Sequence, residues 1–197
     1  MIIKTFIGNP IETNTYLVVD EASKKAMVID PSGETIDEIL KQGFKITYIV
    51  NTHGHWDHIT ENSKLKKLTN AKILVHEKDA DMLENTENPY MKVEPSKADG
   101  FFKDKLKLGN LTFKIIHTPG HTKGSVCLYE EKEKIIFTGD ILFKGAHGRT
   151  DFDGGSEQDI IESLKRLRKL PENVIVYPGH GEKTTIKKEK NWLDSYS

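Results

Sequence analysis

Nine short runs of apolar and β-branched residues punctuate this chain: 1–7 (MIIKTFI), 15–20 (TYLVVD), 26–30 (AMVID), 46–50 (ITYIV), 71–76 (AKILVH), 111–116 (LTFKII), 125–130 (SVCLYE), 134–139 (KIIFTG) and 173–179 (NVIVYPG). Their length and composition predict β-strands. Between some of them the spacing changes to a helical period. Residues 32–43 end on Gly43, and 156–170 open with Ser156 and Asp159 at capping-box spacing before Ile160, Ile161, Leu164, Leu167 and Leu170. Segments 61–70 and 77–86 read as shorter, exposed helices, and 85–105, with two prolines and little periodicity, as a long loop. So many strands bury their apolar residues only if they pair into sheets whose outer faces carry helices. The chain therefore predicts a layered α/β architecture in two strand-rich halves dividing near residues 100–110.

A chain of 197 residues and 22.4 kDa suits one domain, 1–197. Its 29 basic and 30 acidic residues leave a formal charge of -1, so no overall field draws it to nucleic acid or an anionic membrane. The opening MIIKTFIGNP lacks the apolar core of a signal peptide, and no run approaches the ~18–20 residues of a membrane span. The single Cys127 has no partner for an internal disulfide and reads as a small buried hydrophobe, which suits a reducing cytoplasm. Oligomeric state is left open.

Residues 51–60, NTHGHWDHIT, place His53, His55, Asp57 and His58 within six positions of a chain that has eight histidines. One histidine beside a strand is ordinarily a loop or core residue; HxHxDH points to a metal. Three later stretches share one grammar of apolar strand, glycine and metal-competent side chain: His121 after Gly120, Asp140 after Gly139 and His180 after Gly179. Glycine lets the backbone turn at a strand end, and strand ends are where α/β proteins assemble sites. Seven donors exceed one tetrahedral zinc and suit two cations with a shared ligand. His53 and His55 alternate along extended backbone and can grip one cation; Asp57 and His58 follow on a turn and can face a second. Asp140, with two oxygens, is the natural bridge between cations ~3.5–4 Å apart.

The ordered series HxHxDH, His in TPGHT, Asp in GD and His in PGHG resembles the signature of the metallo-β-lactamase superfamily. GDILFKGAHGRTDFDGGS further resembles its short, single-domain, glyoxalase-II-like (hydroxyacylglutathione hydrolase-like) bacterial branch. The resemblance covers nearly the whole chain and implies a four-layer αββα sandwich. It also implies a metal on His53, His55 and His121, a second on Asp57, His58 and His180, and Asp140 bridging. The cofactors are then two divalent ions, zinc first, with iron or manganese as alternatives, and the partner is a small-molecule thioester attacked by water ionised between them. Glyoxalase II proper continues past the last metal histidine into a helical domain, whereas residues 181–197 alone follow here, so no such domain is expected. Arg149 matches a basic residue that contacts glutathione in the longer enzymes and is the expected substrate-binding residue. Asp151 and Glu182 stand where tyrosines are expected beside it.

Asp57 is the candidate catalytic residue, since besides binding metal it is placed to accept a hydrogen bond from the attacking water. A thiolate leaves without a strong general acid and an amide does not, which favours thioesters over peptide-like substrates. The rival readings are a persulfide dioxygenase using one iron, a lactone or β-lactam hydrolase, and a non-catalytic metal-binding module. Seven ligands, against the four that close a structural site, count against the last. Among the other histidines, His76 reads as structural, His117 as orienting a loop or ligand ahead of contacting metal, and His147 as structural ahead of facing substrate. Trp56 reads as packing beneath the ligands.

Overall fold

All nine apolar runs form strands in the protein, whose computed structural model describes residues 1–87, 90 and 92–196. One six-stranded sheet runs in the order β1 (Ile2–Gly8), β2 (Thr13–Val19), β3 (Lys25–Ile29), β4 (Lys45–Val50), β5 (Lys72–Val75) and β6 (Gly100–Phe101). The other comprises β7 (Lys105–Leu108), β8 (Leu111–His117), β9 (Val126–Glu130), β10 (Ile135–Gly139), β11 (Ile175–Pro178) and β12 (Thr184–Thr185), also in chain order. The chain crosses between sheets from Phe101 to Lys105, inside the predicted divide. In the first sheet β1–β3 are antiparallel and β3–β6 parallel; in the second only β10 and β11 pair in parallel.

Strand alternation sorts the apolar side chains into three layers. From β2, Leu17 and Val19 face outward with Val28 and Ile49 to meet Ile36, Ile39, Ile59, Leu65 and Leu83 of helices α1 (Ile36–Leu40), α2 (Trp56–Ile59), α3 (Asn62–Thr69) and α4 (Ala80–Glu84). Tyr16 and Val18 turn inward with Met27 and Ile29 against Phe113, Leu128 and Phe137 of the second sheet. The far face of that sheet, with Cys127, Ile136 and Val176, is covered by Ile160, Leu164 and Leu167 of α5 (Glu157–Arg168) and by Ile186 and Leu193 of α6 (Ile186–Asp194). Each such side chain, fully buried, contributes roughly 1.5–3 kcal/mol. Helix, sheet, sheet and helix make the αββα sandwich. Cys127 is an interior residue, and burial pushes its thiol up to about 12.

The boundaries depart from the sequence pattern where local geometry intervenes. Residues 32–43 shrink to α1 because Gly33 and Glu34 take positive φ values of 29° and 63° before the helix begins. Ser156 does cap α5, its Oγ accepting from the Asp159 amide at 3.2 Å. The 85–105 segment is not wholly loop, for Gly100 and Phe101 pair with Leu74 and Val75; its positions 88, 89 and 91 lie outside the described residues. Helix α6 had no clear periodic signal, since Lys and Glu dominate it. It is fixed by Thr185, which caps it, and by Glu189, whose buried carboxylate accepts from Thr184 Oγ1 and, at 2.7 Å, from the Gly145 amide.

Candidate metal centre

Strand ends of both sheets converge on one edge of the sandwich. His53 and His55 follow β4, with Asp57 and His58 on the single turn α2; His121 follows β8, Asp140 follows β10, and His180 follows β11. The glycines make the close approach possible. Gly179 donates its amide to the Gly139 carbonyl at 2.8 Å, and a Cβ on Gly179 would fall 2.1 Å from Asp140 Oδ1. From the first sheet, the Asn14 amide bonds the Gly179 carbonyl at 2.7 Å, and Asn14 Nδ2 bonds the carbonyls of Pro178 and Gly181. This pins the His180 loop beside Asp57.

The structure brings all seven predicted donors together. Ligand atoms of His53, His55 and His121 lie within 4.8 Å of one another, as do those of His53, His58 and Asp140, and those of Asp57, His58 and His180. His58 Nε2 is 3.1 Å from Asp57 Oδ2 and 3.4 Å from Asp140 Oδ1; His180 Nε2 is 3.2 Å from Asp57 Oδ2 and 3.5 Å from Asp140 Oδ2. His121 Nε2 is 3.6 Å from Asp140 Oδ2 and 2.8 Å from His55 Nδ1. Asp140 thus touches histidines of both predicted sets, as a bridge requires.

The ring orientations test whether a cation fits. His121 Nδ1 donates to the Arg149 carbonyl at 2.7 Å, His180 Nδ1 to the Ile11 carbonyl at 3.2 Å, and His58 Nδ1 to Asp30 Oδ2 at 3.0 Å. Thr52 Oγ1 spends its proton on Asp30 at 2.6 Å and so accepts from His53 Nδ1 at 3.1 Å. In each neutral ring the Nε2 lone pair is therefore left facing the shared space, the tautomer that a metal ligand needs. Among the described residues, His53 Nε2, His58 Nε2 and Asp140 Oδ1 are buried without a well-directed hydrogen bond, the last two facing each other only as an ion pair at 3.4 Å. Such orphaned atoms are costly unless a cation takes them. The residues fit divalent metal.

Charge follows the same plan. Burial opposes ionisation of Asp57 and Asp140, yet the His58 ring, with His180 behind it, holds both carboxyls below their usual range. Burial likewise disfavours charge on His58 and His180, but the carboxylates of Asp57 and Asp140 outweigh it and raise both. Burial pushes His53 far down and His55 to about 4, with neighbouring rings adding to the effect. Without metal the two carboxylates hold protons on His58 and His180, and a divalent cation would take the place of those protons at Nε2.

Two further residues serve the site that sequence reading passed over. Buried Asp30, just after β3, bonds the Thr52 amide and hydroxyl and His58, and so orients two histidines. Buried Asp79 accepts from the Gly54 amide (3.0 Å), Thr122 Oγ1 (2.6 Å) and the Gly124 amide (2.7 Å), which ties the loop of His53 and His55 to that of His121. Each reads in sequence as an ordinary acid at a strand end or helix start. Thr13 Oγ1 adds a bond to Asp57 Oδ2 at 2.9 Å.

Arg149 lies on the rim. Its carbonyl orients His121, while its exposed guanidinium sits 4.1 Å over the Phe152 ring, itself 5.5 Å from His55. Among the described residues, His117 belongs to none of the donor groups. It stacks on His76 at 4.3 Å, and its Nε2 bonds the Lys123 carbonyl. His147 packs near Trp192 and Tyr196 of the α6 region, and Trp56 packs on the first-sheet core while stacking on Tyr90.

The metallo-beta-lactamase superfamily profile matches residues 8–180. Hydroxyacylglutathione hydrolase GloC of Haemophilus influenzae is 35% identical over 192 residues, covering 91% of this chain and 90% of that one. The crystal structure of BLEG-1 B3 metallo-beta-lactamase superposes with a TM-score of 0.91 at 31% identity, over 98% of this chain and 99% of that one. TTHA1623 in a di-iron-bound form does so with a TM-score of 0.80 at 28% identity, over 94% and 96%. Fold, donor set and these similarities agree: this chain belongs to the metallo-beta-lactamase superfamily.

Proposed function

We propose that the protein is a metal-dependent hydrolase of small thioesters, with His53, His55 and His121 on one cation, Asp57, His58 and His180 on the other, and Asp140 between them. The observation that carries this reading is the convergence on one space of three buried donor atoms, His53 Nε2, His58 Nε2 and Asp140 Oδ1, that make no well-directed hydrogen bond among the described residues. Similarity to GloC supports the thioester class, and a donor set of imidazole and carboxylate accepts zinc, with iron, the metal of the TTHA1623 relative, or manganese as alternatives.

Divalent cations in such a site polarise a carbonyl and bring the ionisation of water to about neutral pH. The protein does the rest. Asp57, kept ionised by His58 and His180 and anchored at Oδ2 by Thr13, accepts a hydrogen bond from the attacking water and orients it. The outward Nδ1 bonds of His58, His121 and His180 hold their rings still, so little reorganisation accompanies the reaction. A thiol of ordinary pKa, about 8.5, departs as thiolate without a proton from the protein. Arg149, at the rim, is the residue assigned to substrate contact.

The BLEG-1 similarity favours a second reading, lactam hydrolysis. A steady-state panel of thioesters differing in thiol, with a chromogenic lactam and a lactone alongside, separates the two. Thioester turnover well above lactam turnover is expected. Lactam turnover alone would move the assignment to the second reading, and silence across the panel, with one bound iron and oxygen uptake on a persulfide, would replace hydrolysis altogether.

A further inference from the structure

Two cations flank the donor cluster, and each is closed by an acid of its own loop or the facing one. On one rim, Arg149 Nε and Nη2 donate to Asp151 Oδ1 and Oδ2 at 2.8 and 2.7 Å, beside Phe152 and His55. On the other, Lys144 follows Phe143, whose ring is 6.1 Å from His180, and its Nζ meets Glu182 Oε2 at 2.6 Å, two residues beyond His180. All four side chains are exposed, so these pairs add little to stability. Their consequence is for charge at the mouth. A carboxylate on an incoming substrate would have to displace a tethered one that is already bidentate on Arg149, and would meet Asp151 and Glu182 as like charges. An uncharged arm meets no such competitor and can lie on the exposed ring of Phe152.

Resting on the hydrolase reading above, we infer that Asp151 and Glu182 determine specificity: they neutralise Arg149 and Lys144 and so select thioesters whose thiol arm carries no carboxylate. The test uses the full-length, metal-loaded protein and one hydroxyacyl group carried on two thiols, glutathione (two carboxylates) and N-acetylcysteamine (none). D151N and E182Q should each raise the glutathione-to-N-acetylcysteamine ratio of kcat/KM by about two- to five-fold, the scale of an exposed ion pair, and through KM rather than kcat. The gain should shrink with added salt and vanish when R149Q is added to D151N. Calorimetric binding of S-methylglutathione, which is not hydrolysed, should tighten in D151N by the same factor. Hydrolysis of both substrates with the ratio and the thioether affinity unmoved in D151N, E182Q and the double variant would overturn the specificity inference alone. Failure of the parent protein to hydrolyse either thioester would overturn the hydrolase reading, and the inference with it.

Discussion

Replacing Asp79 is the most revealing perturbation away from the donors themselves. Its carboxylate accepts three bonds, two of them at Oδ2 (Gly54 amide, Thr122 Oγ1) and one at Oδ1 (Gly124 amide), and it is buried. In D79N one oxygen becomes an NH2 group. Whichever way the amide turns, a backbone N–H then faces a donor. If the NH2 takes the Oδ2 position, Thr122 can still bond Ser125 Oγ, 2.7 Å away, but the Gly54 amide is orphaned. Losing a charge-assisted bond and stranding one buried N–H costs about 2–3 kcal/mol. D79A removes all three bonds and strands both backbone amides, of Gly54 and Gly124, and should cost about 3–5 kcal/mol after relaxation, a large part of the ~5–15 kcal/mol that holds a domain together. Because Gly54 lies between His53 and His55, and Thr122 beside His121, D79N should also weaken metal binding by roughly 10–100-fold, the usual effect of losing an outer partner. Urea denaturation of the metal-free protein gives the first number and competition with a chromophoric chelator the second. A D79N protein within 0.5 kcal/mol of the parent, with unaltered metal affinity, would refute the idea that Asp79 couples the two loops.

Other expectations follow from the same geometry. G179A places a methyl group 2.1 Å from Asp140 Oδ1 and 2.9 Å from His58 Cε1, so metal affinity should fall at least about ten-fold while far-UV circular dichroism is retained; normal affinity would contradict the close approach. D140A removes the shared carboxylate, and a loss of several kcal/mol of charge stabilisation should lower thioester turnover by roughly two orders of magnitude or more, so full turnover in that variant would contradict the assignment. In the metal-free protein, His55 is pushed down to about 4 by burial first and the His121 ring next, while the unfolded chain protonates near 6.5. Between those values the unfolded state binds more protons, so the contribution of His55 to stability, full above pH 6.5, is lost as pH falls to 4. His58, raised by Asp57, acts in the opposite sense and is most stabilising at the acid end. The test is therefore the difference between parent and H55Q: the variant should lose less stability from pH 7 to pH 4.5, and parallel curves would refute the burial argument.

What could be read from the sequence was whatever is encoded by local period or by dense, unusual chemistry. The strands came from alternation and β-branching, and the seven donors from HxHxDH and three glycine-marked strand ends. The partners of Asp30 and Asp79 are set by tertiary contact, since Asp79 meets Thr122 43 residues away and Gly124 45 away. No local pattern distinguishes such a residue from a helix cap. The turn of helix under Asp57 and His58 is too short to show a period, and α6 buries Ile186 and Leu193 amid charges. The loop reading of Gly100 and Phe101 failed because a two-residue edge strand is specified by its neighbour, β5, rather than by its own composition. His117 shared the residue type of the donors, yet as the last residue of β8 it stacks on His76 instead.

The central claim is tested most directly by counting and locating the metal. Elemental analysis of the protein loaded and then desalted should return about two ions per chain, falling towards one in D140A. An anomalous-difference map should place two peaks on either side of the Asp140 carboxylate, within reach of His53, His55 and His121 on one side and Asp57, His58 and His180 on the other. A single peak, or peaks remote from these side chains, would contradict the account.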